Sequence, residues 1–150
     1  MKMTVANVCS QNDPFWNKTQ LDAYAKVMDA FHDYDNLLGL FVGNEIIAIN
    51  NQSLAAPFIK SATRDLKAYR DSKGYRKIPV GYSATDIAEL RPWLQDYLTC
   101  GGNASENIDF CMCFVTFFFA GLPWLRSCYC TPSPCSNKKL GISLRMAVID

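Results

Sequence analysis

The sequence predicts an α/β fold of about three parallel strands with helices between them, and three observations carry the prediction. The stretch Asn36-Leu37-Leu38-Gly39-Leu40-Phe41-Val42-Gly43-Asn44-Glu45 holds a short, uncharged apolar run bounded by turn residues, the mark of a strand covered on both faces. A helical stripe follows, made by Ala55, Phe58, Ile59, Ala62, Leu66 and Tyr69. A second apolar run, 78–81, comes after it, and a connection this long between strands implies a crossover and parallel pairing. Sheets of this kind carry their functional groups at the C-terminal ends of the strands, so Asn44, Glu45 and Tyr82 are expected on one rim.

Residues 1–16 show no periodic pattern and read as a ragged lead-in. From Thr19, the residues Leu21, Tyr24, Met28 and Phe31 fall on one helical face, with Thr19 and Asp22 spaced like a capping box. His32, the only histidine, follows near the helix end, where it reads as a carbonyl cap or a solvent-facing side chain. Gly39 and the shortness of 37–42 argue for strand over helix. Glu45 at its tip has two readings: a carboxylate that solvates a loop, or one whose desolvation favours the protonated form that a general acid needs. After a polar and aliphatic loop, 46–52, Ser53 is the expected N-cap of the second helix, with Pro57 in its first turn. Lys67, Arg70 and Lys73 gather towards the end of that helix and read as a solvated face, and Gly74 closes it. Asp86 is expected to cap a third helix over 88–98, with Leu90, Trp93, Leu94 and Tyr97 on its apolar side, broken by Cys100-Gly101-Gly102. Asn107-Ile108-Asp109-Phe110 opens a third strand.

Composition sets limits on function. The formal net charge is +1, from 15 basic and 14 acidic residues spread along the chain, so there is no electrostatic footprint for nucleic acid. Of the seven cysteines, Cys9 and Cys100 stand apart while Cys111, Cys113, Cys128, Cys130 and Cys135 crowd the end. Cys128, Cys130 and Cys135 could offer thiolates to zinc, with Cys111 and Cys113 nearby, but the two C-x-C pairs do not match the spacing of zinc ligands, and no metal or other cofactor is expected. Asn17, Asn51 and Asn103 open glycosylation sequons, as in a secreted glycoprotein, although the first residues show no apolar core of signal-peptide length. From Cys111 the composition turns abruptly rich in Cys and Phe, yet the run to Leu125 is too short and interrupted for a membrane span.

Three blocks carry a resemblance: the strand ending in Gly43-Asn44-Glu45; the helix from Ser53-Leu54-Ala55-Ala56-Pro57-Phe58-Ile59-Lys60 through Ala62-Thr63-Arg64-Asp65-Leu66; and Ile78-Pro79-Val80-Gly81-Tyr82-Ser83-Ala84-Thr85-Asp86. In this order, within residues 13–110, they resemble the fungal cell-wall β-1,3-glucanosyltransferases, the GPI-anchored transglycosylases of glycoside hydrolase family 72. The resemblance implies a (β/α)8 TIM barrel. A complete barrel needs roughly 250 residues, so only part of one is expected here. It implies Glu45 as the general acid/base and Asn44 as the amide that hydrogen-bonds the sugar hydroxyl beside the reacting carbon. Tyr82 has two readings, part of a sugar-stacking surface or a ring that fills the barrel top while its hydroxyl caps a backbone group. The implied partners are a β-1,3-glucan donor and acceptor, and for the intact family member the plasma membrane through a GPI anchor, at the cell surface or in the cell wall. A retaining mechanism needs a second carboxylate as nucleophile. In the family it comes from a later strand, and no residue of this chain matches its motif; Glu89 and Glu106 are expected in a helix and a loop. Cys100 corresponds to a cysteine whose disulfide partner lies further along the family's chain. The expected division is therefore 1–110, part of a catalytic barrel, and 111–150, a divergent tail. Codons for Cys111-Met112-Cys113 can contain GTATGT, a fungal intron start, so the tail is read as a retained intron. The function implied is that of a fragment of an enzyme that cleaves β-1,3-glucan and transfers the new reducing end; the alternative is an inactive truncated product or a glucan-binding remnant.

Overall fold

The computed structural model describes residues 9–10, 13–101, 103–119 and 122–129. A short antiparallel ribbon, β1 (Cys9–Ser10) and β2 (Asp13–Pro14), leads into helix α1 (Lys18–Phe31). Strand β3 (Leu40–Asn44), a 3-10 turn (Asn50–Ala55), helix α2 (Ala56–Ser72), strand β4 (Val80–Ala84), helix α3 (Arg91–Thr99) and strands β5 (Phe110–Phe119) and β6 (Leu122–Tyr129) follow. The sheet order is β3-β4-β5-β6. The first three strands are parallel, with α2 and α3 as the crossovers, as the sequence predicts; β6 pairs with β5 in the antiparallel sense.

Each element begins where its local chemistry permits. The cap of α1 is Asn17, not Thr19: its side chain accepts the Gln20 N–H at 3.0 Å and the Gln20 side chain accepts the Asn17 N–H at 2.9 Å. This is the expected box moved two residues towards the N-terminus, with an amide in place of a hydroxyl. Ser53 does not cap α2, because the 3-10 turn carries the chain straight into the helix and the cap position falls to Ala55. Strand β4 starts at Val80, since Pro79 has no N–H to give a ladder. Helix α3 starts at Arg91 after a turn, with Leu90 rather than Asp86 at the cap position. Gly74 ends α2 with a left-handed φ of 69°, as expected of a helix-closing glycine.

The core lies between the sheet and the helices. Ile59, Ala62 and Leu66 of α2, Tyr24 and Met28 of α1, and Leu94 and Leu98 of α3 pack with Val42, Ile78, Val80 and Tyr82. Phe110 fits against two glycines: a side chain on Gly39 or Gly81 would collide with its ring, at 2.7 Å and 2.6 Å respectively. Phe41 meets the same ring edge-on at 5.2 Å.

Two of the three charges expected on a solvated face are buried. Lys67 is 7% exposed and Arg70 6%. The last turns of α2 cross the N-terminal ends of β4 and β5, and the long side chains reach over those ends. Lys67 Nζ donates to the Asn107 carbonyl at 2.6 Å and to Asp109 Oδ1 at 2.7 Å, while Asp109 Oδ2 accepts the Val80 N–H at 2.9 Å. Arg70 Nη1 donates to the Ile78 carbonyl at 2.6 Å. These bonds satisfy backbone groups that the strand ends leave without ladder partners. Lys73 is exposed, as expected. Among the described residues no helix is long and apolar enough to cross a membrane.

Candidate functional site

The tip of β3 is shaped by its sequence. A side chain at Gly43 would collide with Ile46, so the glycine lets the chain turn back over its own strand end. Asn44 follows as the last ladder residue, opposite Ser83 of β4, where the register resumes after an irregularity between Phe41 and Asn44. Glu45 then takes φ 52°, the single non-glycine residue with positive φ among the described residues. Such a conformation costs on the order of 1–3 kcal/mol and persists only where surrounding contacts fix it. Here the Glu45 N–H donates to the Ser83 carbonyl at 2.8 Å.

Behind Glu45 the chain is tied at successive backbone groups. Ile46 and Ile47 are buried. The Ile47 N–H donates to the Tyr82 hydroxyl at 3.1 Å, and its carbonyl accepts from Thr85 Oγ1 at 3.3 Å. Gln52 Oε1 accepts from both Ala48 N–H, at 2.6 Å, and Ile49 N–H, at 3.1 Å. On the other side, the Tyr24 hydroxyl donates to the Val42 carbonyl at 2.8 Å. A surface carboxylate therefore stands on a backbone held from three directions, the arrangement a positioned acid requires.

The residues singled out from sequence come together in part. Asn44 and Glu45 are adjacent at the tip. Glu45 is exposed, so the desolvated carboxylate of the second reading is not what this segment displays. Asn44 is half-buried and its Oδ1 accepts from Ser83 Oγ at 2.9 Å. Tyr82 is on the same rim by register, but its ring is fully buried and presents no face to a ligand. The arrangement is the second of the two expected, with the ring filling the core and the hydroxyl capping a backbone group. The physical reason is the depth of β4, all five residues of which are buried, beneath the loop that follows Glu45. Burial pushes its phenol pKa up.

His32 lies at the end of α1, the end that leads back to the start of β3. Its Nδ1 contacts the Asp29 carbonyl at 2.8 Å and its ring stacks on Tyr75 at 3.8 Å, so it caps the helix as expected. Glu89 and Glu106 both lie in turns, one before α3 and one before β5. Among the described residues no group of three or more His, Cys, Asp or Glu is placed to hold a metal. Cys130 and Cys135, weighed as zinc ligands, lie outside the described residues. Sequence reasoning missed Ser83 and Gln52. Ser83 carries no local signal beyond its place beside Tyr82, and only the pairing of two strands 39 positions apart brings it to Asn44.

The comparisons with known proteins agree with one another. The family model described as Glucanosyltransferase, glycoside hydrolase family 72, matches residues 3–122. The 1,3-beta-glucanosyltransferase gas1 of Schizosaccharomyces pombe is 43% identical over 101 residues, which are 67% of this chain and 18% of that protein. The 1,3-beta-glucanosyltransferase gel1 of Aspergillus fumigatus is 41% identical over 118 residues, 79% of this chain and 24% of that protein. Among solved structures, Saccharomyces cerevisiae Gas2p in complex with laminaripentaose superposes with a TM-score of 0.65 at 38% identity, over 70% of this chain and 23% of that one. The likeness to Gas2p identifies the three parallel strands and their helices as part of a TIM barrel. The chain spans between 18% and 24% of the length of these two curated relatives.

Proposed function

Because the chain belongs to the glucanosyltransferase family, glycoside hydrolase family 72, we propose that it is a segment of a β-1,3-glucanosyltransferase barrel in which Glu45 is the general acid/base and Asn44 contacts the sugar. The observation that carries this reading is the tip of β3. An amide and an exposed carboxylate stand side by side there, on a backbone whose neighbouring N–H and C=O groups are tied down. In a retaining transfer the acid protonates the leaving oxygen while a second carboxylate, about 5–5.5 Å away, attacks the sugar carbon. The same residue then acts as base towards the hydroxyl of an incoming glucan. The Asn44 amide supplies hydrogen bonds that strengthen as the ring becomes oxocarbenium-like.

Glu89 and Glu106 sit in turns and not at strand ends, so on this reading neither is the nucleophile. That group belongs to a later strand of the intact barrel. Tyr82 acts through the loop it supports and touches no sugar. On this reading the segment contacts glucan and supplies the acid, and transfer waits on the nucleophile of the later strand, because acid without nucleophile leaves the covalent step unmade. The laminaripentaose in the Gas2p structure supports β-1,3-glucan as the ligand class. The family's destination, the cell surface through a GPI anchor, is part of the same reading, as is the division of the chain at Cys111.

The test is a titration of the chain with laminaripentaose, followed by NMR and by product analysis. Shifts centred on Asn44 and Glu45, without longer or shorter oligosaccharides, are expected. No binding, or shifts away from the β3 tip, overturns the reading. Sequencing transcripts across the codons for Asp109 to Met112 tests the retained-intron reading of the tail: a spliced form joining Phe110 to a different strand supports it, and a tail encoded as written in every transcript refutes it.

A further inference from the structure

We propose that Ser83 is the positioning residue of the β3 tip, an inference that rests on the roles proposed above for Asn44 and Glu45. Ser83 is 1% exposed and touches both members of that pair through different groups. Its carbonyl accepts the Glu45 N–H at 2.8 Å, and its Oγ donates to Asn44 Oδ1 at 2.9 Å. It is also the residue with which the parallel ladder resumes, opposite Asn44, after the irregularity that follows Phe41.

The two contacts do different things. The carbonyl bond holds the backbone of Glu45 in its left-handed conformation, φ 52°, which a residue with a side chain rarely adopts. The hydroxyl bond sets the amide of Asn44. A carboxamide has an acceptor end and a donor end, and here the hydroxyl hydrogen of Ser83 meets the acceptor end. With Oδ1 turned to Ser83, Asn44 presents its Nδ2 donors to the rim. Donors are what a sugar hydroxyl oxygen needs at the reacting ring. An alanine would fill nearly the same space in β4, and a buried hydroxyl costs stability unless it is bonded. The hydroxyl is therefore tied to the amide it orients, rather than to packing.

The experiment uses the full chain, labelled with nitrogen-15, as wild type, Ser83→Ala, Ser83→Thr, Asn44→Ala and the double variant with both alanines. NMR relaxation of the Asn44 side-chain amide and laminaripentaose affinity are measured on each. The expected result is that Ser83→Ala leaves the Asn44 amide as mobile as that of a surface asparagine. Affinity then falls about fivefold, the size of one ordinary hydrogen bond. Adding Asn44→Ala lowers affinity little beyond the Asn44 variant alone, because the two residues act as a unit, and Ser83→Thr, which keeps the hydroxyl, restores amide order. Ser83→Cys, with similar shape and a weak donor, gives the same loss as alanine and replaces it should alanine compromise folding. An Asn44 amide equally ordered in Ser83→Ala and wild type overturns the proposal, as do losses from Ser83 and Asn44 that simply multiply. Loosening of the amide in a chain that binds no laminaripentaose supports the contact and overturns the glucan reading, so the two failures are distinguishable.

Discussion

Replacing Tyr82 by phenylalanine removes one oxygen atom from the core, and the structure gives the cost. The lost hydroxyl is the acceptor of the Ile47 N–H, 3.1 Å away, and both residues are fully buried. Water cannot reach the orphaned N–H, so the variant bears the penalty of an unsatisfied buried donor, about 1–3 kcal/mol. The ring itself is unchanged and no cavity larger than the oxygen opens. For a chain of this length, a loss of about 2 kcal/mol corresponds to a fall in Tm of about 4–8 °C. Urea unfolding followed by fluorescence reads the same difference as a shift in midpoint with unchanged slope. Laminaripentaose affinity should fall only as far as the loop behind Glu45 loosens, less than the loss caused by Asn44→Ala. Unchanged stability together with abolished glucan binding would refute the reasoning, because it would make Tyr82 a sugar contact and not a support.

Further perturbations test the rest of the frame. Lys67→Met strips the donor from the Asn107 carbonyl and the partner from Asp109; since Asp109 is 39% exposed, the expected cost by urea unfolding is about 2–3 kcal/mol, below that of a fully buried pair. Adding Asp109→Asn should recover part of it, and full additivity would contradict the pairing. Asn17→Ala removes the cap of α1 and should cost about 1 kcal/mol, read as a lower midpoint. The Asp71 carboxyl is held down at about 2, first by its hydrogen bond from Arg70 and then by that from Lys77. Because its folded pKa lies below the ordinary value, its contribution is present above about pH 4 and disappears as pH falls towards 2. Unfolding measured from pH 5 to pH 2 should show a shallower loss in Asp71→Asn, and salt should shrink the difference, since Asp71 is 44% exposed.

The parts of the fold legible in the sequence are those that depend on near neighbours. The run 37–42, the α2 stripe and the long crossover indicate strand, helix and parallel pairing through periodicity and length alone, although the strand itself lies at Leu40–Asn44, shifted towards the tip. Family blocks then point to Asn44 and Glu45, which the structure places together at a strand tip. What was not legible depends on contacts across distant positions. Lys67 and Arg70 read as solvated because a helix end tolerates free cations, and nothing local says that the approach to β5 brings Asp109 to within 2.7 Å of Lys67. Asn17 displaces Thr19 as the cap because asparagine is the stronger cap and the Gln20 side chain returns its hydrogen bond. The two readings of Tyr82 need the same half-wet ring on paper, and only the depth of β4 beneath the loop separates them.

Glu45 is proposed as the proton donor and acceptor of glucan transfer. The most direct measurement is the rate of oligosaccharide transfer from a laminari-oligosaccharide donor by the intact enzyme that carries this segment, compared with its Glu45→Gln variant. The expected loss is on the order of 10²–10⁴-fold, the usual worth of a general acid/base, with laminaripentaose affinity largely kept. Transfer by Glu45→Gln at close to the parent rate would contradict it.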